Sequence, residues 1–424
     1  MTGLLSQIGR LAGGSTLRRN ISMTLGRQIL AAVAQLLLVI LIARELGPEG
    51  NGHYAMAILL PTLLVNLLNL GVGPATVYHV GRSEFSARQA ARENLRLGLA
   101  IALAGVVVAL PVLLLWGESL FPGVPQPLLL IGLAAFPASL LLAYLNTVLQ
   151  GLEDFRAFNT TVLAPPYVTL AGVAVSLYIL QAGIFGAVLA YLLGQTVGLV
   201  LVILLLLRRT GTDDTELASV KSGDYHRKTV GYGWKAHLSN ILAFVNYRAD
   251  IFLVNFFLNP AATGLYVVAV QIAEKLWMLS KAASTVLLPR LSAMHEAPAE
   301  RLALTRKGFL AVSGLTAAAS LATAVALYWL LGPVFGEEYQ EALPAFLWLL
   351  PGIIAGAGAR VQSNCIAASG KPEWNMYVAV AVVIGNVIGN ILLVSKYGII
   401  GAAWATSISY IGNYLAKEIL VRKV

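Results

Sequence analysis

The sequence is poor in charged residues and in cysteine. Asp, Glu, Lys and Arg make up 12% of the 424 residues, against about 25% in soluble globular proteins. The only cysteine, Cys365, excludes an intrachain disulfide. The motifs Gly-x4-Gly-Lys-Ser/Thr, His-Glu-x2-His, Cys-x2-Cys and Gly-x-Ser-x-Gly are also missing, so ATP hydrolysis, zinc chemistry and a nucleophile elbow have no support. The sequence predicts no catalytic residue, no metal site, no cofactor and no enzymatic activity.

Apolar residues are abundant instead and come in long runs. They form 58% of the chain, and the mean hydropathy is +0.77. A helix needs about 20 apolar residues to cross a bilayer, and only helices or closed barrels satisfy the backbone there. Because these runs are uniformly apolar and do not alternate, they indicate helices. The sequence therefore predicts an all-α polytopic membrane protein.

Twelve runs are long enough to cross a membrane. They are 22–43, 53–80, 94–116, 127–149, 159–181, 184–207, 235–258, 262–287, 308–331, 342–368, 375–395 and 398–416. The predicted organisation is an interfacial segment at 1–20, an N-terminal lobe of six spans at 21–207, a linker at 208–234 and a C-terminal lobe of six spans at 235–424. Two six-helix lobes around a central cavity are the expected architecture.

An internal repeat supports two related halves. Leu-Gly-Pro-Glu-Gly-Asn-Gly-His-Tyr at 46–54 returns as Leu-Asn-Pro-Ala-Ala-Thr-Gly-Leu-Tyr at 258–266, with Leu, Pro, Gly and Tyr in the same places. Gly-Ile-Phe-Gly-Ala at 183–187 likewise returns as Gly-Ile-Ile-Gly-Ala at 398–402. An even number of spans per half makes the repeats parallel, which places a substrate path between them.

The basic residues set the orientation. Of the 29 Lys and Arg residues, only Arg44 and Lys396 fall in the loops on one side, and most of the others fall in the opposite loops and the termini. Under the positive-inside rule both termini and the 208–234 linker are cytoplasmic. The net charge of +9 is thus mostly a topology signal, and we expect no nucleic-acid partner.

Several charges remain within the spans or at their edges. The basic ones are Arg27, Arg96, Lys235, Arg248, Lys275, Lys281 and Arg360, and the acidic ones are Asp250 and Glu274. Such residues are costly in hydrocarbon and usually face a bundle interior or an aqueous cavity. The excess of positive charge predicts that Arg248, Lys275 and Arg360, with Arg27 at the mouth, bind an anionic head group. Arg96, Lys235 and Lys281 are predicted to be edge anchors.

Spans seven and eight are expected to form a hairpin centred near position 261. This places Arg248 and Glu274 at equal depth, so an ion pair across the hairpin is predicted, with Asp250 nearby. Asp250 and Glu274 then either hold the cations apart or exchange a proton or a metal cation. The alternative is a buried pair that only fixes helix register. At an offset of 212 the other half has Leu36, Leu38, Thr62 and Leu63, which favours a functional role.

The chain resembles the polysaccharide transporter family of the multidrug/oligosaccharidyl-lipid/polysaccharide exporter superfamily, the O-antigen type of flippase. The resemblance rests on the twelve spans, the turn at 46–54, Gln-Gly-Leu-Glu-Asp-Phe at 150–155, Arg248-x-Asp250 and Leu-Pro-Arg-Leu at 288–291. It implies a bacterial inner-membrane protein that moves an undecaprenyl-pyrophosphate-linked oligosaccharide to the outer leaflet by alternating access. The lipid-linked oligosaccharide and the bilayer are its implied partners, and a polymerase or another polysaccharide assembly protein is left open.

Two other functions stay open. One is a drug/cation antiporter of the same superfamily, which a positively charged cavity disfavours. The other is a membrane scaffold that transports nothing, which unpaired charges in mid-membrane disfavour. Lipid II is in doubt as a substrate, because the chain lacks the two extra C-terminal spans of the related lipid II flippases, a place where a groove for the lipid tail could form.

Overall fold

The described residues are helical throughout, as predicted. The structure is a computed structural model that describes residues 15–210, 221–294 and 297–423, and these ranges contain no β-strand. The first half comprises α1 (Ser15–Leu68), α2 (Val72–Gly81), α3 (Ala87–Leu120), α4 (Gln126–Gly151), α5 (Phe155–Ala174), a π-helical turn (Val175–Ile179) and α6 (Gly183–Thr210). The second half comprises α7 (Ser222–Phe257), α8 (Pro260–Lys275), α9 (Trp277–Ala293), α10 (Pro298–Phe335), a 3₁₀ turn (Glu337–Ala342), α11 (Leu343–Ala368) and α12 (Pro372–Val421).

The helices agree with the twelve predicted spans. Nine helical stretches in the described part of the chain are long and apolar enough to cross a membrane. Two of them contain a break, because Gly47 in α1 (φ 66°) and Gly398 in α12 (φ 61°) adopt the left-handed conformation that favours glycine. Dividing α1 and α12 at these glycines and adding α7, the charged helix that contains Arg248, gives twelve. The fold is therefore an all-α, polytopic membrane fold.

The chain forms two compact units whose bounds differ from the predicted lobes. Unit 1 contains the residues up to Leu41, Ala57–Gly117 and Gln126–Leu238, whereas unit 2 contains Ile42–Met56, Glu118–Pro125 and the chain from Ser239 onward. The predicted boundary at 208–234 treats the segment as a connector, but α7 begins at Ser222 and its first turns pack in unit 1. Most of the predicted interfacial segment 1–20, namely 1–14, and residues 211–220 of the linker lie outside the described residues.

Tyr225 shows why the start of α7 belongs to unit 1. Its side chain is fully buried, its ring lies 4.5 Å from that of Phe85, and its hydroxyl donates a hydrogen bond to Asn94 Oδ1 at 2.8 Å. Burial raises the pKa of Tyr225 to about 12. Further along α7, Gly233 packs directly on the backbone of Gly71, and neither position has room for a side chain. The first turns of α7 are therefore an apolar and hydrogen-bonded anchor within unit 1.

The two copies of the repeated turn pack against each other within unit 2. Gly52 in the first copy abuts the carbonyl of Pro260 in the second, and Gly264 in the second abuts the carbonyl of Pro48 in the first. Asn51 Nδ2 also donates a hydrogen bond to the carbonyl of Gly264 at 3.1 Å. The contact is reciprocal, which explains why Pro and Gly recur at the same spacing: each copy supplies the carbonyl that the glycine of the other copy meets.

Replacing either of these glycines by alanine is expected to destabilise the protein. Gly52→Ala and Gly264→Ala place a methyl group on a backbone carbonyl that cannot move aside, and overpacking of this kind costs about 1–3 kcal/mol. The thermal unfolding midpoint of the purified protein measures the effect. Gly385→Ala in α12 is the matched control, because the space around Gly385 is open. Equal stability of Gly52→Ala and Gly385→Ala would show that the reciprocal contact is absent.

Candidate functional site

Arg248 and Glu274 form the ion pair that the sequence predicts. Arg248 Nη1 donates to Glu274 Oε1 at 3.0 Å, and Nη2 lies 3.4 Å from Oε2. Such two-pronged pairing fixes the orientation of both groups. The side chains keep 33% and 24% of their exposure, so the pair lies at the edge of a cavity and is not sealed in the core. The pair links α7 to α8 at matching depth.

Asp250 lies two residues after Arg248 on α7, in a buried hydrogen-bond network. It is 2% exposed, and its Oδ2 accepts from the Tyr266 hydroxyl at 2.8 Å and from Thr406 Oγ1 at 3.3 Å. Asn386 Nδ2 lies 3.4 Å from the same threonine oxygen, and Asn390 Nδ2 lies 3.2 Å from Asn386 Oδ1. The network thus joins α7, α8 and both arms of α12 around one carboxylate.

A small cavity lies between Asp250 and Glu274. Its volume is about 10 Å³, close to the minimum that holds one water molecule. Its walls are formed by Tyr247, Asp250, Val270, Ala273, Glu274, Trp277, Leu349, Ile353, Thr406 and Tyr410. Two carboxylates, two phenols and a threonine hydroxyl therefore surround a space for one small polar species. A proton carrier or a single cation fits this space, and an organic ligand does not.

Trp277 and two tyrosines separate this small cavity from a larger one. The indole Nε1 of Trp277 donates to the carbonyl of Ile353 at 3.1 Å, which fixes the ring. The rings of Tyr247 and Tyr410 lie 5.4 Å and 5.2 Å from it. Because all three rings line both cavities, they form an aromatic wall between the acidic cavity and its larger neighbour.

The larger cavity is polar and positively charged. It has a volume of about 260 Å³ and is lined by Asn246, Tyr247, Trp277, Gly356, Arg360, Ser363, Tyr410, Asn413 and Lys417. The Arg360 guanidinium lies over the ring of Trp277, 5.9 Å from its centre. The lining contains two cations and no carboxylate among the described residues. This arrangement suits an anion that also offers hydrogen-bonding groups.

The structure brings four of the six predicted site residues together. Arg248, Asp250, Glu274 and Arg360 all border these two cavities or the network beside them. Lys275, the last residue of α8, is half-buried but lines neither cavity. Arg27 belongs to unit 1, where its guanidinium lies 5.5 Å from the centre of the Phe158 ring. A substrate role for any of the six stays a prediction.

Sequence reasoning missed Lys417, Tyr266 and Thr406. Lys417 directly follows the predicted span 398–416, which puts it in the predicted cytoplasmic C-terminus, but α12 continues to Val421 and buries it to 8% exposure. Tyr266 is the last residue of the repeated turn, and this position does not indicate that its hydroxyl donates a hydrogen bond to Asp250. Thr406 carries no sequence signal, because an isolated threonine in an apolar run usually bonds its own helix.

The fold is similar to that of several solved membrane transporters. Over 95% of its length the chain is similar to the lipid II flippase MurJ in an inward closed conformation, with a TM-score of 0.74, 17% identity and 87% of that chain covered. It is also similar over 93% of its length to an inward-facing MATE multidrug transporter of the MOP superfamily, with a TM-score of 0.72, 14% identity and 94% of that chain covered. A third similar structure is a MOP superfamily transporter from Pyrococcus furiosus, with a TM-score of 0.62 and 15% identity. The match covers 95% of this chain and 94% of that chain. At these identities the similarity shows the fold alone.

The chain belongs to the family described as "Polysaccharide biosynthesis protein", which matches residues 17–295. This confirms the resemblance drawn from the sequence. The protein named "Probable flippase AglR" from Haloferax volcanii is 26% identical over 200 residues, which are 46% of this chain and 41% of that relative. The chain therefore spans less than half the length of this curated relative.

Breaking the ion pair on one side is expected to cost more than removing it altogether. Glu274→Met leaves the guanidinium of Arg248 without its carboxylate, and an unpaired charge in a poorly solvated place is destabilising. Since both side chains retain some exposure, we expect a loss of about 1–3 kcal/mol, below that of a sealed pair. Adding Arg248→Met should recover most of the loss, as measured by unfolding of the purified protein.

The exposed pair of Asp224 and Arg227, 3.1 Å apart in the first turns of α7, provides the matched control. Asp224→Asn is expected to change stability by less than about 0.5 kcal/mol, because exposed pairs contribute little. If Glu274→Met and Arg248→Met add independently, the two groups do not interact in the folded protein.

Proposed function

We propose that the protein is a flippase for an undecaprenyl-pyrophosphate-linked oligosaccharide. It moves this substrate by alternating access from the cytoplasmic to the outer leaflet of a bacterial inner membrane, for polysaccharide or O-antigen biosynthesis. The observation that carries the proposal is the polar cavity that contains Arg360 and Lys417 within helices of membrane-spanning length. A pyrophosphate is the part of such a substrate that hydrocarbon excludes, and two cations in a polar cavity compensate for its lost hydration.

The comparisons support this choice of substrate class. The family is described as one of polysaccharide biosynthesis, one relative is named a probable flippase, and MurJ is named a lipid II flippase. Transporter structures in inward closed, inward-facing and outward-facing conformations all match this chain over at least 93% of its length. Related folds therefore adopt more than one state, as alternating access requires.

The ion pair connects substrate binding to a proton or a metal cation. While Glu274 is ionised, it holds the Arg248 guanidinium at 3.0 Å. When Glu274 is protonated, or when a cation binds between Glu274 and Asp250, Arg248 is released for the anionic head group. Arg360, Lys275 and Arg27 complete the predicted set of cations that receive the substrate along its path. The distribution of Lys and Arg supports a cytoplasmic position for both termini.

A drug/cation antiporter is the second candidate, and the similarity to a multidrug MATE transporter favours it. The cavity argues against it, because Arg360 and Lys417 repel a cationic drug. A membrane scaffold without transport gains nothing from a positively charged polar cavity, which costs desolvation energy. Between a cationic drug and a lipid-linked anion, the charges of this cavity attract the anion.

Arg360→Gln is expected to reduce export of the lipid-linked oligosaccharide at least about tenfold, because it removes one charge-assisted contact of about 1.5–3 kcal/mol. The substrate then accumulates in the cytoplasmic leaflet. Sugar exposure on right-side-out and inverted membrane vesicles, measured with an impermeant lectin, gives the distribution. Arg306→Gln is the matched control, since Arg306 is exposed on α10. Wild-type export by the Arg360 variant would remove Arg360 from the substrate path.

Asp250→Asn is expected to uncouple transport from the ion gradient. In the wild type, collapse of the proton or the sodium gradient slows export, because the acidic cavity loses the species that releases Arg248. In Asp250→Asn the remaining export no longer depends on that gradient. The control is Asp224→Asn, an exposed carboxylate on the same helix. Wild-type export that ignores both gradients would show passive flipping.

A further inference from the structure

Lys417 is a buried cation without a carboxylate partner. The residue is 8% exposed, and no ion pair joins it to an acidic side chain among the residues that the structure describes. The adjacent acid on α12, Glu418, is engaged elsewhere: Gln362 Nε2 donates to it at 2.8 Å, and Arg422 Nε donates to it at 3.1 Å. A buried ammonium in this state destabilises the protein. An anion that enters the cavity offsets this charge.

Arg360 adds a second positive charge to the cavity that Lys417 lines. It comes from α11, whereas Lys417 comes from α12, so the two cations reach the same space from neighbouring helices. Two adjacent cations repel each other, and the lining contributes no carboxylate between them. A single ligand that carries two negative charges close together relieves both effects. A diphosphate has this property, and one carboxylate or one chloride neutralises half of the charge.

Asn246 requires a hydrogen-bond donor on the ligand, which the diphosphate does not supply. Its Oδ1 atom is buried and accepts no hydrogen bond from the protein, and the residue lines the same cavity. An amide oxygen only accepts hydrogen bonds, and an ionised diphosphate has none to donate. The ligand must therefore carry hydroxyl or N–H donors beside its negative charge. A sugar attached to the diphosphate supplies them.

The size and the wall of the cavity limit how much of the substrate enters. At about 260 Å³ it is smaller than the roughly 300–1,000 Å³ of pockets that enclose a whole drug-sized ligand. One wall is the ring of Trp277, held by its hydrogen bond to Ile353, and a flat aromatic surface suits the apolar C–H face of a sugar ring. The cavity accommodates the diphosphate and the first sugar, and the rest of the glycan lies outside it.

We infer that Arg360 and Lys417 bind the diphosphate of the carrier, and that Asn246 accepts a hydrogen bond from the sugar next to it, which packs on Trp277. This inference rests on the proposed function and adds to it the sugar contacts of Asn246 and Trp277. Under this inference the two cavities of unit 2 bind different species. The cavity lined by Arg360 and Lys417 binds the head group, and the cavity lined by Asp250 and Glu274, on the other side of the aromatic wall, binds the ion.

Affinity for two defined lipids tests the assignment. The probes are farnesyl diphosphate and farnesyl diphosphate linked to N-acetylglucosamine, titrated into the full-length purified protein in nanodiscs. Lys417→Met should weaken both by about 10- to 100-fold, because it removes one charge-assisted contact, and Lys417→Arg should restore most of the affinity. Asn246→Leu should weaken only the sugar-bearing probe. Lys307→Met, which removes an exposed lysine of α10, should change neither.

Stability without ligand separates a binding role from a structural one. Lys417→Met removes an uncompensated buried charge while it keeps most of the side-chain volume, so the unfolding midpoint of the ligand-free protein should rise. A lower midpoint together with unchanged affinity for both probes would make Lys417 a structural residue and overturn the inference. Equal weakening of both probes by Asn246→Leu would overturn the sugar contact.

The inference and the proposed function fail in different ways. If the wild type exports a lipid-linked sugar and Lys417→Met binds and exports it equally well, the head group lies elsewhere and the flippase assignment stands. If the wild type neither binds the two probes nor exports a lipid-linked sugar, the flippase assignment itself falls.

Discussion

A charge placed among membrane-spanning helices must be paired, hydrated or neutralised by a ligand, and the arrangement of unit 2 depends on this constraint. Arg248 meets it through Glu274, and Asp250 meets it through the hydroxyls of Tyr266 and Thr406. Arg360 and Lys417 do not meet it through any acidic residue in the lining of their cavity. The protein itself satisfies the first two groups, and in the proposed function a ligand neutralises the last two. This difference separates the ion site from the head-group site.

The aromatic wall separates the cavity lined by Asp250 and Glu274 from the cavity lined by Arg360 and Lys417. Trp277 is fixed by Ile353 and flanked by Tyr247 and Tyr410, so a carboxylate-lined space and a cation-lined space lie on two sides of the same rings. The wall keeps Glu274 and Asp250 out of the lining of the positive cavity, and Arg248 is held on the acidic side by its ion pair with Glu274. In the proposed cycle its release from Glu274 is the step that lets the ion influence the substrate.

The sequence predicted the spans and one contact correctly, and it missed most of the partners. The hairpin centre near 261 placed Arg248 opposite Glu274, because depth along two adjacent helices follows directly from residue number. The partner of Asp250 on α12, Thr406, is 156 positions away along the chain, and no local pattern encodes that distance. The predicted last span ends at residue 416, one residue before Lys417, so the sequence leaves this lysine outside the helix bundle. Hydropathy indicates where an apolar run ends, but it does not indicate whether the next side chain on the same helix is buried.

The sequence by itself determined the all-α membrane class, the number of spans, the family and the repeat, because each of these depends on composition or on order along the chain. The tertiary structure alone decided which charges satisfy each other, which remain for a ligand, and why the two copies of the turn share Pro and Gly. The partners of each charge depend on which face of a helix contacts its neighbours, and the shared Pro and Gly depend on how closely two backbones approach. Helix packing fixes both, and similar apolar sequences are compatible with many packings.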